Sequence, residues 1–460
     1  MHPVVCLDVG STFTKGAAVD VATGDLLATA AHATTIETDV LAGIDAVRAD
    51  LAAQLPHADL SEVLACSSAG GGLRLAVVGY ERAVTAEAGH RVGLSAGAKI
   101  VHVSSGLLTG VGLAALRADR PDVVLLVGGT DGGNTEVLVA NAHTLAASPG
   151  AVPVVVAGNV EGRAEVVDVL LAAGWPAIAA ANVLPRIGVL DPLPARAAIR
   201  EVFIAHVIGG KHLSASSAFA EMVRAATPDA VLAGVELLAD GATGTAGTGD
   251  VVVVDVGGAT TDVYSVVTPD PEEAALHREV VEVMWRGRTV EGDLGVRWSA
   301  PGVVSAAVAE RLLPESEAVR LMLAAEQRAA DPALLPSDAE GRAVDARLAE
   351  LALTVALRRH ARPQESGEVR NPGKDLRGVR LVVGSGGVLR HAEPRALQQI
   401  LAPAVGDHAG GWKVPDSAAL AVDSRYVLAA AGLLAASYPD AAARLLSRTL
   451  QALPRTAAAP

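Results

Sequence analysis

Two stretches of the chain, Asp8-Val9-Gly10-Ser11-Thr12-Phe13-Thr14-Lys15 and Asp255-Val256-Gly257-Gly258-Ala259-Thr260-Thr261-Asp262, repeat one arrangement of residue types. In each, a carboxylate follows an apolar run and opens a turn filled with glycine and hydroxyl residues. Glycine lets backbone N–H groups come close to phosphate oxygens, and consecutive turn amides form an anion nest. Ser and Thr hydroxyls add donors, and Lys15 adds a point charge. Mg²⁺ keeps several of its waters and takes few carboxylates, a role suited to Asp8 and Asp255. The two turns together provide what a polyphosphate and its metal require. One copy in each half predicts a cleft that grips the phosphates from both sides. A third element, Gly384-Ser385-Gly386-Gly387, follows another apolar run and suits close approach to an adenosine and its ribose. Lys15 in the first copy aligns with Asp262 in the second, so the copies divide the work between phosphate charge and metal or water.

These residues need strands to hold them. Residues 4–32 predict a three-stranded meander, with Ala17–Val21 and Leu26–Ala31 joined by a hairpin turn at Thr23-Gly24-Asp25. A helix over 38–55 places Leu41, Ile44, Val47, Leu51 and Leu55 on one face. Strand Val63–Cys66 runs into Ser67-Ser68-Ala69-Gly70-Gly71-Gly72. Between 99 and 183, apolar runs at Lys99–Val103, Val123–Val127, Val154–Ala157 and Ala177–Ala181 alternate with helical stretches. That is the rhythm of a parallel α/β sheet set into the first half. Residues 192–241 read as mainly helical. The second hairpin restarts a sheet at 251, and Glu279–Trp285 reads as either a strand or a helix start. Residues 303–360 read as long charged helices broken near Pro314, Pro332 and Pro336, and Arg362–Arg377 as a surface loop. Strand Val379–Val383 precedes the late glycine turn, and residues 424–450 give closing helices. The expected division is a first lobe over 1–98, the inserted region over 99–210 and a helical return over 211–248. A second lobe follows over 249–440, with a helix end and tail over 441–460.

A chain of 460 residues is long enough for two or three domains. Its hydrophobic share is 51% but its aromatics only 2%, so Ala, Val and Leu must build the core. The formal charge of -14 argues against a nucleic-acid surface, which needs a dense basic patch. It leaves open a small nucleotide held by amides and Mg²⁺. No apolar run reaches membrane-spanning length and nothing at the N-terminus reads as a secretion signal, so the expected compartment is the cytoplasm. Cys6 and Cys66 both fall in strand-like runs, as buried thiols do. An iron–sulfur cluster would have to draw ligands from a partner chain.

Gly128-Gly129-Thr130-Asp131-Gly132-Gly133-Asn134 follows a strong strand. Ligands bind at that end of α/β strands, so Asp131 could meet Mg²⁺, a water or a partner. A strand-to-helix turn capped by Thr130 or Asn134 reads equally well. Arg196 and Arg200, one helical turn apart, read as a solvated face before they read as a grip on a partner. His102 and His143 stand singly, outside metal-site spacing.

Taken together, the two hairpins and the late glycine turn resemble the actin / heat-shock chaperone / sugar-kinase ATPases. The fold this resemblance implies is a two-lobed, actin-like (ribonuclease H-like) α/β fold with the parallel region inserted. Carried over, Asp8 and Asp255 would organise Mg²⁺. Gly10, Ser11, Thr12, Phe13, Thr14 and Lys15 would contact the β- and γ-phosphates of ATP. Gly257, Gly258, Thr260 and Thr261 would close from the other side. Gly384, Ser385, Gly386 and Gly387 would border the nucleoside. The stretch Thr289–Gly295 sits where the chaperones carry a Gly-Gly-acidic loop, which adds Glu291 and Gly292. The groups that could position an attacking water are then Asp8, Asp255, Glu291 and Asp131.

A closer resemblance spans nearly the whole chain. Leu7–Lys15, Ser67–Gly71, Val127–Asn134, Arg288–Gly295 and Gly384–Gly387 are similar to the MutL/GlmL family, which accompanies adenosylcobalamin-dependent mutases. The resemblance implies an ATP-dependent chaperone or reactivating factor with weak Mg²⁺-dependent ATPase activity and a mutase of the glutamate mutase type as partner. Nucleic acid and membrane are not expected partners. A small-molecule kinase of the same fold and a non-hydrolysing, nucleotide-gated binding module are the alternatives.

Overall fold

The computed structural model describes residues 1–69, 73–81, 85, 86, 88, 89, 92, 93, 96, 98–147, 149–208, 213, 214, 216–268, 286–362, 364–366, 369–371, 373–407 and 409–454. The expectations for Gly70–Gly72, Glu279–Trp285 and the tail beyond Pro454 lie outside the described residues. The chain divides into two compact units, one built mainly on residues 1–234 and 429–441, the other on 235–268, 288–428 and 442 onward.

The first unit holds two sheets. Strands β1 (Pro3–Val9), β2 (Phe13–Asp20) and β3 (Asp25–Ala33) form the expected meander, and β4 (Val63–Ser67) pairs parallel to β1. Strand β5 (Arg74–Gly79) opens a parallel sheet with β6 (Lys99–Ser105), β7 (Val123–Leu126), β8 (Val154–Val156) and β9 (Ala177–Ala179), in the order β6-β5-β7-β8-β9. Strand β10 (Val223–Ala226) then returns to the first sheet, whose order is β10-β4-β1-β2-β3. The helix Val40–Gln54 packs Ile44, Val47 and Leu51 into a core shared with Val5, Leu7 and Val9. Along the parallel strands, alternate residues serve two cores. Leu75, Val77 and Leu125 face the core just named, while Ala76, Val78, Val124 and Leu126 face Leu138, Leu145 and Trp175. Burial on both faces is why β7 and β8 read as continuous apolar runs.

The second unit repeats the first sheet's plan. A two-residue pairing of β11 (Gly241–Ala242) with β12 (Thr245–Ala246) precedes the hairpin β13 (Val251–Val256) and β14 (Thr261–Val266). Strand β15 (Arg286–Glu291) follows, then a short hairpin of β16 (Gln364–Ser366) and β17 (Val369–Asn371). Strands β18 (Leu381–Ser385), β19 (Ala419–Val422) and β20 (Gln451–Ala452) complete the order β15-β14-β13-β18-β19-β20. In both sheets the strand before the glycine turn lies between its antiparallel hairpin partner and a parallel strand from later in the chain. This duplicated plan is the actin-like fold expected from the sequence. Helices Ala300–Ala309, Glu315–Ala330 and Ala339–Ala361 back the second sheet through Val303, Leu321, Leu348, Leu351 and Val355.

Two expectations change and a third is refined. Residues 192–241 are mainly helical, as expected, with β10 interrupting them. Its short, alanine-bearing Val223-Arg224-Ala225-Ala226 becomes a strand by pairing with β4, a partner far away in sequence. The stretch Arg362–Arg377 contains the β16–β17 hairpin. Arg196 and Arg200 do not form a solvated face: both reach Asp229, at 3.4 and 2.6 Å, and Arg196 is buried.

Candidate functional site

The two turns share a backbone geometry. Gly10 N donates to Phe13 O at 3.1 Å, and Gly257 N donates to Thr260 O at 2.9 Å. A Cβ on either glycine would lie 2.8 Å from that same carbonyl oxygen, so a side chain at this position would force each turn open.

Around the second turn the carbonyls are held by protein donors. Val296 N donates to Gly257 O at 3.0 Å, Arg297 N to Gly258 O at 2.8 Å, and Ser299 Oγ to Ala259 O at 2.8 Å. A trans peptide points its C=O and the following N–H in opposite directions. With those three oxygens turned onto residues 296–299, the amides of Gly258, Ala259 and Thr260 project to the other side. Ala259 there is exposed. Consecutive amides facing one way are the backbone arrangement that an anion nest requires. At the first turn, Val9 O accepts from Ser68 N and Ala69 N, and Thr12 O accepts from Thr34 N. Ser11, Thr12 and Phe13 are exposed, Phe13 by 50%.

The charged groups are placed by register. Asp8 pairs with Lys15 across β1 and β2, and Lys15 Nζ lies 3.9 Å from Asp8 Oδ2. Asp8 is only 5% exposed. Asp255 pairs with Asp262 on one side and Ser385 on the other. Asp262 is held by Arg288, whose Nε donates at 2.8 Å. The late glycine turn therefore borders the second hairpin within one sheet. Gly386 adopts φ +105°, and a Cβ there would lie 2.2 Å from Val256 O. Gly387 begins the helix Gly387–His391, and Gly384 packs against Leu389 and Leu401.

Two threonines expected at phosphate turn inward. Thr14 is buried with its hydroxyl 3.0 Å from that of Thr34. Thr261 is fully buried and its hydroxyl donates to Leu294 O at 2.7 Å, fastening the loop that clasps the turn. Thr261→Val should therefore cost stability, about 1–3 kcal/mol for the unpaired Leu294 carbonyl. ATP and ADP affinity should fall together, as urea melts and nucleotide titrations would show. A loss confined to ATP would instead place the hydroxyl at the γ-phosphate.

Glu291 and Asp293 flank the same loop, with Gly292 O 2.9 Å from Ser299 Oγ and sharing that hydroxyl's one proton with Ala259 O. Arg359 bridges both, donating to Glu291 at 2.8 Å and to Asp293 at 2.7 and 2.9 Å. Burial pushes the Glu291 carboxyl up against this pairing, while the hydrogen bond from Arg359 pulls Asp293 down. Glu291 is thus a half-buried, arginine-held carboxylate of the clasp. Asp131 is placed elsewhere in the first unit, beyond the end of β7 in the parallel sheet. Its Oδ1 accepts from Val160 N at 3.0 Å and from Asn182 Nδ2 at 2.9 Å, so it caps the helix Val160–Ala172 and joins neighbouring loops. His102 pairs with Asp119 at 2.8 Å. Among the described residues, no group of three or more His, Cys, Asp or Glu is placed to hold a metal. Mg²⁺ needs few carboxylates when phosphates and waters complete its shell, and Asp8 in the first unit and Asp255 in the second each present one. Among the described residues, no helix is long and apolar enough to cross a membrane.

One family's sequence pattern, described as MutL protein, matches residues 4–450. The chain belongs to the MutL family. A curated relative, Protein MutL of Clostridium tetanomorphum, is 36% identical over 461 residues, covering 98% of this chain and 99% of that one. Among solved structures, this MutL-family chain is similar to a nucleotide-free acetone carboxylase, with TM-score 0.40 and 15% identity over 94% of this chain and 70% of that one. It is also similar to the activator of 2-hydroxyisocaproyl-CoA dehydratase from Clostridium difficile with bound ADPNP, with TM-score 0.32 and 10% identity over 95% of each chain.

Sequence reasoning found both turns and the late glycine element of this MutL-family chain. It missed Thr227, whose hydroxyl donates to Asp8 Oδ1 at 2.6 Å. It also missed the clasp residues Val296, Arg297 and Ser299. No motif marks either group, because their bonds join positions that only the folded sheet brings together.

Proposed function

We propose that this chain is an ATP-binding accessory protein that reactivates an adenosylcobalamin-dependent mutase of the glutamate mutase type. ATP binding and hydrolysis would drive lobe closure and alter affinity for the mutase, so that damaged cobalamin leaves and adenosylcobalamin enters. Nucleotide can do this only if the two states bind the mutase unequally. The observation that carries the nucleotide part is the second turn, where three carbonyls are held by residues 296–299 and the amides are left for phosphate oxygens. Membership of the MutL family supports the accessory role.

Within this reading, the turn amides and the Ser11 and Thr12 hydroxyls bind phosphate oxygens, and Lys15 offsets their charge. Asp8 and Asp255 orient the metal's waters, and Ser385 and Gly386 border the nucleoside. Mg²⁺, when bound, supplies neutralisation of phosphate charge. The reading is tested by incubating the protein with a mutase inactivated by cyanocobalamin, then adding ATP and adenosylcobalamin. Restored mutase activity that depends on ATP is expected, together with ATP turnover in the absence of any small acceptor. Failure to restore activity, with no nucleotide-dependent complex between the two proteins, would overturn it. Turnover only with an added sugar or acid would make the chain a kinase.

A further inference from the structure

The Asp8 carboxylate has two distinct environments. Its Oδ2 is the oxygen nearest Lys15. Its Oδ1 accepts a short bond from Thr227 Oγ1 at 2.6 Å and a longer one from Cys66 Sγ at 3.6 Å. Cys66 is fully buried.

Thr227 is the first residue of the helix Thr227–Asp240, immediately after β10, which lies two strands from β1. That helix start is fixed in turn. Asp229 is buried and receives Arg196 at 3.4 Å and Arg200 at 2.6 Å, both from the helix Leu193–Val202. The arginine pair thus holds Asp229 and with it the first helical turn. The first turn places Thr227, and Thr227 fixes the rotation of the Asp8 carboxylate.

We propose that Thr227 is a positioning residue for metal-nucleotide binding. By occupying Oδ1 it directs Oδ2 of Asp8 towards the metal's waters, with Cys66 as a secondary support on the same oxygen. This inference rests on the nucleotide-binding reading above. A carboxylate free to rotate would divide its population between orientations, and only one would serve the metal. A hydrogen bond to a charged group contributes enough to set that choice, and its loss corresponds to roughly a tenfold change in an equilibrium constant or more.

The test uses the full chain and equilibrium binding. Affinity for a fluorescent ATP analogue is measured in excess Mg²⁺ and again in EDTA, for the parent, Thr227→Val, Thr227→Ser and Cys66→Ala, with melting temperatures recorded for each. Expected is a fall of about tenfold in the Mg²⁺-dependent gain in affinity for Thr227→Val, with the EDTA value unchanged. Thr227→Ser should restore the gain, and Cys66→Ala should fall between the parent and Thr227→Val. A Thr227→Val protein with the parent's Mg²⁺ gain overturns the proposal, as does one whose affinity falls equally with and without Mg²⁺, which would mark a structural role only. If Thr227→Val does not fold, Thr227→Ser and Cys66→Ala carry the test, and failure of both to follow that order overturns it. A parent that binds no nucleotide under either condition overturns the underlying reading, and this inference with it.

Discussion

Asp8→Asn should abolish Mg²⁺-dependent ATP hydrolysis, a loss of at least about a hundredfold for a group that orients a metal and its waters, while leaving the fold intact. The two halves of this expectation have separate causes. Asparagine keeps the shape and keeps an oxygen that Thr227 can donate to, so the 2.6 Å bond survives in kind. What disappears is the negative charge opposite Lys15. Asp8 is nearly buried, and a buried charge disfavours the folded state unless it is well partnered. Removing that charge should leave stability within about 1 kcal/mol of the parent, because the packing and the Oδ1 hydrogen bond remain. Function at such a site is commonly set against stability, so an unchanged or raised melting temperature alongside lost turnover is the informative pair. Steady-state phosphate release and a thermal melt on the same preparation check it. Unchanged turnover would remove Asp8 from any metal role.

The parts of this architecture that were legible in the sequence are those encoded locally. The hairpins β1–β2 and β13–β14 each carry their apolar strands and their turn within one short stretch, and Gly10 and Gly257 mark turns whose closure excludes a side chain. Strands β7 and β8 were legible because both faces are buried and the runs are continuously apolar. The elements that escaped depend on distant partners. Strand β10 has only four residues with helix-compatible composition, and pairing with β4 makes it a strand. Strand β5 follows a glycine run, and it gains its place by standing between β6 and β7. Arg196 and Arg200 have the helical spacing of a surface pair, and only the position of Asp229 turns them inward. The clasp was half legible. Glu291 and Gly292 stood out by type, but the atoms that hold the turn are the backbone amides of Val296 and Arg297, and a backbone amide has no sequence signature.

The largest stability effect should come from Asp345→Ala. Asp345 is buried and receives two arginines, Arg297 at 2.6 Å and Arg328 at 2.6 Å. Deleting the shared carboxylate leaves two guanidinium groups in a low-dielectric setting without their counter-charge. The expected cost is about 3–5 kcal/mol, against roughly 0–1 kcal/mol for removing an exposed pair. Arg328 keeps bonds to Ala324 O and Gly341 O and is partly compensated. Arg297 keeps the carbonyl of Val296. Its own backbone amide is the donor to Gly258 O, so the loss should also loosen the second turn and lower nucleotide affinity. Stability and positioning can be separated by replacing the whole triad with apolar residues, Arg297→Met, Arg328→Met and Asp345→Leu together. Apolar replacement of a buried ion cluster is often neutral or stabilising, so the triple variant should regain most of the urea midpoint lost by Asp345→Ala. Nucleotide affinity should nevertheless stay below the parent's, because the electrostatic anchor of residue 297 is gone. If Asp345→Ala has the parent's urea midpoint, the triad is not a determinant of the fold. If the triple variant recovers affinity together with stability, the clasp needs only packing, and Asp345 serves the turn through stability alone.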